Sequence, residues 1–128
     1  MSLRLFHLTY DANKDRYPTA MEDVIEVLCK KCSVAEIGHP VESTFVFKME
    51  SANYDVEQIM EELITRFDKD FFFVVSRVDY TVKYDADSIK HLAAKPCKEH
   101  VDAFPAVLQK LKDAKKIRAD VKNLSIWQ

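Results

Sequence analysis

The sequence predicts an α+β domain with the order β-α-β-β-α-β, followed by a C-terminal helical extension. Two segments place apolar residues at helical spacing behind pairs of the capping type, which indicates two amphipathic helices. Apolar or alternating runs lie before, between and after these segments and indicate strands. We therefore divide the chain into a domain at residues 1–84 and an extension at residues 85–128.

Composition supports a single domain. The chain has 128 residues, of which 48% are hydrophobic, enough to bury a core without disulfides. No run approaches the ~18 apolar residues of a membrane span, and the N-terminus lacks a secretory pattern. Three cysteines, an odd number, fit a reducing compartment. These features predict a cytoplasmic protein with no membrane partner.

The first predicted strand ends in an acid. The run from Leu3 to Tyr10 is apolar at most positions, as in a central strand, and Asp11 is the strongly polar side chain that follows it. Loops at strand ends commonly carry functional residues. The segment Asp-Ala-Asn-Lys-Asp is also ordinary turn composition, so Asp11 is either a site residue or the start of a turn.

Both helices of the domain have capping-box spacing. Thr19 and Glu22 form such a pair at the start of a predicted helix at about residues 20–32, and Asp55 and Gln58 form one at the start of a second helix. The first apolar face contains Met21, Val24, Ile25, Leu28 and Cys32. The second contains Val56, Ile59, Met60, Leu63 and Phe67.

The remaining strands surround these helices. Residues 33–50 predict two strands around the only glycine of the chain, in Gly38-His39-Pro40. A hairpin with its turn at these residues and a strand broken by a bulge would both fit. Residues 71–84 form an extended run that should leave the sheet near Ser76 and Arg77 and continue as an arm or a fifth strand. Its apolar residues Phe71, Phe73 and Val75 are expected on the face without helices, covered by a second copy or by the tail.

The extension predicts one more helix and a short apolar end. The helix is expected from Pro105 to Ile117, with the proline in its first turn and Val107, Leu108, Leu111 and Ala114 facing inward. The segment from Leu124 to Trp127 could dock on the body or pair on a sheet edge. The whole order is that of a ferredoxin-like sandwich with a helical addition.

Charge is divided unevenly along the chain. Residues 1–90 carry a net charge of −6 and residues 91–128 a net charge of +4. An acidic body argues against broad nonspecific nucleic-acid binding, while the basic tail leaves a local contact open.

Several segments resemble a known group. Leu-Thr-Tyr-Asp at residues 8–11, the helix after it, His-Pro-Val-Glu-Ser-Thr-Phe at residues 39–45 and the strand from Asp70 are similar to the SinR-like and CRISPR-associated adaptation proteins. Proteins of that group, among them the integrase's partner and the VapD toxins, have a small ferredoxin-like fold. The resemblance covers residues 3–84, and residues 85–128 match nothing in it.

The resemblance implies a homodimer with a shared metal site. In nuclease members an aspartate matched by Asp11 comes from both subunits and holds a divalent ion, which implies Mg²⁺ and a catalytic role here. A hard cation joins two carboxylates that otherwise repel, and it can activate water. Lys14 and Arg16 follow in the loop and could contact phosphates of RNA or DNA. Arg16 alone stands where members often carry several arginines.

Two alternatives remain open at this point. The same dimer could be a non-catalytic adaptor whose arm and basic tail bind a protein or nucleic-acid partner. Separately, Cys29, Cys32, Cys97 and His100, with His91 in reserve, could form a zinc site, although buried structural cysteines explain the first pair more simply. Because the chain has a single glycine, a glycine-rich loop that binds phosphate is very unfavourable. We therefore expect no organic cofactor.

Overall fold

The computed structural model describes residues 3–50, 55–78 and 94–124. Within these ranges the chain has an α+β fold with a five-stranded mixed sheet and three helices. The elements are β1 (Leu3–Ala12), α1 (Ala20–Glu26), β2 (Glu36–Val41), β3 (Thr44–Glu50), α2 (Val56–Arg66), β4 (Phe71–Arg77), α3 (Lys98–Asp113) and β5 (Lys122–Asn123). A π-helical turn, Val27–Lys31, continues α1. The predicted α+β class is confirmed, and in the described ranges no helix has the length and apolar character to span a membrane.

The sheet has the order β4-β1-β3-β2-β5, with β1 near its centre. The first four strands pair antiparallel, and the short β5 pairs parallel with β2. Phe6 is opposite Phe47 on β3, and Asp11 is opposite Phe72 on β4. The apolar composition of β1 follows from burial on both faces of the sheet, because Phe6 and Leu8 lie in one buried cluster and Leu5 in another on the opposite side.

One face of the sheet carries all three helices of the described chain. Side chains from β1 and β3 on this face pack with residues from α1, α2 and α3 in a single core. Phe6 and Phe47 stack with their ring centroids 5.6 Å apart. The fully buried members of this core include Phe6, Leu8, Ile25, Leu28, Phe45, Phe47, Ile59 and Leu63. The helical segment after residue 97 therefore shares the core of the first 78 residues.

The opposite face, which we call the open face, holds a smaller cluster. Leu5, Val46 and Leu124 are buried together, with Val78 packed beside them. Farther along the strands Phe72 and Val74 are 67% and 66% exposed. No helix of the described ranges covers this part of the sheet.

The predicted orientation of β4 was wrong. Phe71, Phe73 and Val75 pack against the core on the helical face, whereas Phe72 and Val74 point to the open face. Because residues 71–75 are all apolar, they lack the alternation that assigns a strand's faces from sequence. The register, with Asp11 opposite Phe72, fixes the orientation instead. β4 ends at Arg77, as predicted, and the expected arm beyond it lies outside the described residues.

Of the two predicted capping boxes, one is confirmed. Asp55 accepts a hydrogen bond from the backbone N–H of Val56 (2.8 Å), and Gln58 accepts one from the N–H of Asp55 (2.9 Å). Thr19 makes no capping hydrogen bond, and its hydroxyl donates to Asp23 instead (2.9 Å). The reason is conformational: Asp55 is extended, as an N-cap should be, but Thr19 is not.

Of the two arrangements that the sequence allows at residues 38–40, the hairpin turn was wrong, and a strand interrupted by a bulge-like irregularity is the one that the structure shows. β2 runs through these residues and the chain reverses at Glu42 and Ser43, where Ser43 has a φ of 58°. The register of β2 against β3 shifts between Gly38 and Val41. This irregularity accommodates Pro40, which has no N–H to donate to a ladder.

The third helix begins earlier than its proline suggested. α3 starts at Lys98, so Pro105 lies inside the helix rather than in its first turn. Val101, Phe104, Leu108 and Leu111 are buried at helical spacing, and their packing outweighs the hydrogen bond that Pro105 cannot donate. After the helix, β5 pairs with the edge of β2 and Leu124 is buried on the open face.

Candidate functional site

Asp11 is exposed near the end of β1. By strand alternation it points to the open face, on the same side as Phe72 and Val74. A carboxylate therefore stands beside two exposed apolar side chains at one corner of the sheet.

A second carboxylate lies near Asp11. Asp70 precedes β4, and together with Asp11, Asn13 and Phe72 it lines a shallow depression of about 250 Å³. Asp70 adopts a φ of 57°, and its carbonyl accepts a hydrogen bond from the backbone N–H of Asn13 (2.9 Å). Two acidic residues of one chain thus line the same depression, where β1 ends and β4 begins. Sequence reasoning missed Asp70, because only the pairing of these strands brings the two residues together.

The loop after β1 has a defined shape. The side-chain oxygen of Asn13 accepts hydrogen bonds from the N–H groups of Asp15 (2.9 Å) and Arg16 (3.1 Å). This arrangement is an Asx turn, which fixes the direction of the loop. Asp11 therefore lies between a strand and an ordered turn. The turn that the composition of this segment predicted is present, and it is formed by Asn13.

Arg16 is held by an aromatic and acidic cluster. It donates to the hydroxyl of Tyr17 (3.2 Å) and to Asp68 (2.9 Å), and Tyr17 donates to the same carboxylate (3.0 Å). The hydrogen bond from Arg16 lowers the pKa of Asp68 to about 2, with help from Tyr17 and the Lys69 N–H. The hydrogen bonds to Tyr17 and Asp68 raise the pKa of Arg16. Arg16 therefore links the loop to the residues after α2.

Lys14 is less constrained. Its ammonium lies 3.9 Å from the carboxylate of Glu42, and both side chains are largely exposed. Such a surface pair contributes at most about 1 kcal/mol, so Lys14 is free to leave it for a phosphate. Of the two predicted phosphate contacts, Lys14 is available and Arg16 is already engaged.

A larger cleft lies beside Asp11. Its volume is about 520 Å³, and Tyr10, Asp11, Lys14, Tyr17, Met21, His39, Glu42, Ser43 and His100 are among its lining residues. Its innermost histidine, His39, is 4% exposed. The cleft joins the predicted site on β1 to the N-terminal turn of α3.

In the described part of the chain the cysteines are not grouped as the alternative zinc site requires. Cys29 and Cys32 are free and buried, and burial raises the pKa of each thiol to about 12. Among the residues that the structure describes, no group of three or more histidine, cysteine or acidic side chains is close enough to hold a metal ion. His91 lies outside those residues.

The rings of His39 and His100 lie against each other, with their centroids 5.0 Å apart, and this contact was not predicted. The sequence placed His39 in a turn and grouped His100 with cysteines, and no spacing rule connects positions so far apart in the chain. The only local signal was the strand-breaking combination of Gly38 and Pro40 around His39, which marks an irregular backbone.

Comparison with known proteins adds no assignment. No model of a protein family matches the chain, and no curated protein is significantly similar to it.

Proposed function

We propose that this protein is a homodimeric, metal-dependent endonuclease of the CRISPR-associated adaptation type, acting on RNA or DNA. The observation that carries the proposal is the position of Asp11, exposed at the end of β1 on the open face beside Phe72 and Val74. A residue in this position can meet its copy in a second subunit.

The arrangement of elements supports the fold part of this proposal. From β1 to β4 the order is β-α-β-β-α-β, and the strands lie in the order β4-β1-β3-β2 with antiparallel pairing. Both intervening helices pack on one face. These features fit a ferredoxin-like domain, to which α3 and β5 are additions.

The exposed apolar residues support a dimer. Phe72 and Val74 leave two large side chains in water, and burying each fully would contribute roughly 1.5–3 kcal/mol. They belong to β4, an edge strand of the described sheet. We propose a second copy as the occupant of this surface, and a twofold axis passing near Asp11 would then bring both Asp11 carboxylates together.

The donor set fits a hard cation. Carboxylate oxygens are the preferred ligands of Mg²⁺, and Asp11 and Asp70 line one depression in each chain. A bound Mg²⁺ would supply activation of water and stabilisation of charge on a phosphodiester. Asp11 would hold it from both subunits, and Lys14 would contact the substrate backbone after leaving Glu42.

Cleavage of labelled nucleic acid tests the proposal. Single- and double-stranded RNA and DNA are incubated with the protein in Mg²⁺ or Mn²⁺. We expect cleavage that EDTA abolishes and that Asp11→Asn reduces by at least a hundredfold, because the amide cannot replace an anionic ligand. Asp15→Asn is the matched control. It removes a carboxylate from the loop after β1, but Asp15 lines neither the depression nor the cleft, so this variant should retain activity. Cleavage that survives Asp11→Asn would refute this role for Asp11.

The second candidate function is a dimeric adaptor without catalysis. The specific observation in its favour is that Arg16 is bonded to Asp68 (2.9 Å) and Lys14 lies near Glu42 (3.9 Å), which reduces the positive charge offered to phosphates. If the folded dimer cleaves no nucleic acid with either Mg²⁺ or Mn²⁺, the adaptor function would replace the nuclease function. The partner of the adaptor would then be sought by capture on residues 91–128, the basic part of the chain.

A further inference from the structure

The cleft beside Asp11 is large enough to hold a small organic group. Its volume is about 520 Å³, within the range of ~300–1,000 Å³ that is usual for small-molecule sites. Asp11 lines both this cleft and the shallow depression that it shares with Asp70. A nucleic acid whose phosphate is held at Asp11 through a cation can therefore extend a neighbouring group into the cleft.

Two aromatic rings form part of the walls of the cleft. Tyr17 and His100 line it, and both side chains are only partly buried. The ring of Tyr17 is fixed in place, because it packs edge-on against Phe67 with the centroids 5.3 Å apart and its hydroxyl donates to Asp68 (3.0 Å). His100 is in the first turn of α3. Accessible aromatic rings are the surfaces on which proteins stack unpaired nucleobases.

Hydrogen-bond acceptors come from the turn between β2 and β3. Glu42 and Ser43 line the cleft at this turn, which is tied to β1 because the backbone N–H of Tyr10 donates to the carbonyl of Ser43 (3.0 Å). Burial raises the pKa of Tyr10, a hydrogen bond with Ser43 acts in the opposite direction, and the carboxylate of Glu42 adds to the rise. The negative charge of Glu42 therefore acts on the interior of the cleft.

The charges that line the cleft favour a neutral group with N–H donors. Asp11, Lys14 and Glu42 are its charged side chains, and two of these three are acidic. A carboxylate only accepts hydrogen bonds, and its two oxygens can accept a pair of parallel ones. Guanine is the nucleobase that carries two adjacent donors on one edge, the N1–H and the exocyclic amino group, so it matches a carboxylate in this way.

We propose that the cleft binds an unpaired guanine base of the nucleic-acid substrate. Glu42 accepts hydrogen bonds from the N1–H and the amino group, and the rings of Tyr17 and His100 provide the surface against which the base packs. The base has to be unpaired, because the edge that meets Glu42 is the one used in Watson–Crick pairing. The inference rests on the proposed function, since it takes nucleic acid as the ligand, and it adds a preference for phosphates beside a guanosine.

Binding of free nucleosides tests this site without metal or phosphate. Guanosine and inosine, which differ only in the exocyclic amino group, are titrated into the full chain while the ring signals of His100 are followed by NMR. We expect saturable shifts and a dissociation constant about tenfold lower for guanosine, because inosine lacks one hydrogen bond to a charged group. Glu42→Gln should remove most of this difference.

Glu99→Gln is the matched control. It removes a carboxylate from the same turn of α3 as His100, but Glu99 lines neither the cleft nor the depression, so the preference for guanosine should be retained. Equal dissociation constants for the two nucleosides, no saturable binding of either, or a preference that persists in Glu42→Gln would each overturn the proposal.

This test is independent of cleavage. A protein that cleaves nucleic acid but binds guanosine and inosine equally would retain the proposed nuclease function and refute the guanine site. A protein that prefers guanosine through Glu42 but cleaves nothing would retain the guanine site as that of a nucleic-acid-binding adaptor.

Discussion

Replacing Phe104 with alanine is expected to lower the free energy of unfolding of the whole chain by about 3–5 kcal/mol. Phe104 is 2% exposed and lies between His39 and Phe45, with ring centroids 5.6 and 6.1 Å away. Its removal leaves a cavity between α3 and the sheet. Because α3 shares one core with the sheet, the loss should shift a single cooperative transition.

Urea unfolding followed by circular dichroism measures this effect. Gln109→Ala, on the exposed side of the same helix, is the control and should change stability by no more than about 0.5 kcal/mol. A separate early transition for Phe104→Ala, with the main transition unmoved, would show that residues 98–113 unfold independently of the sheet. That outcome would contradict the shared core.

Acid should destabilise the protein through His39. Its pKa falls from an ordinary 6.5 to about 4 on folding, so between these values the unfolded chain binds more protons than the folded chain. The free energy of unfolding therefore decreases as pH falls through this window, by about 3 kcal/mol in total. Replacing His39 with phenylalanine keeps the ring contacts and should remove most of this slope.

Denaturant midpoints measured from pH 7 to pH 4 in EDTA check this expectation. The range from pH 7 to pH 5 is the most informative, because it lies above the ordinary pKa values of carboxylates. Burial also lowers the pKa of His7, so His7→Ala serves as the comparison and should leave the larger part of the slope. An unchanged slope in His39→Phe would assign the acid sensitivity to other groups.

The sequence predicted elements best where local and tertiary signals agree. Asp55 and Gln58 cap α2 as expected, since the chain before the helix is extended. Thr19 and Glu22 have the same spacing but fail, because the backbone conformation at Thr19 depends on the loop that Asn13 and Tyr17 organise. Spacing alone carries no information about that loop.

The errors at proline residues share a cause. Pro40 lies in an irregular part of β2, and Pro105 lies inside α3. In both places burial of the neighbouring apolar residues outweighs the local preference of proline for turns and helix starts. The stabilisation comes from residues distant in sequence, which a local pattern cannot contain.

The candidate site shows the same limit. Asp11 could be found because it ends an apolar run, and Lys14 and Arg16 because they follow it. The partners that define their roles, Asp70, Glu42 and Asp68, come from later segments that the sheet brings close. The orientation of Phe72 toward the open face likewise follows from strand register and not from composition.

The most direct test of the central claim is the number of Mn²⁺ ions bound per chain. The titration is combined with sedimentation equilibrium on the same sample. An ion shared by two Asp11 carboxylates predicts a dimer that binds one Mn²⁺ per two chains, with binding lost in Asp11→Asn and kept in Asp15→Asn. A monomer, or one Mn²⁺ per chain that persists in Asp11→Asn, would contradict it.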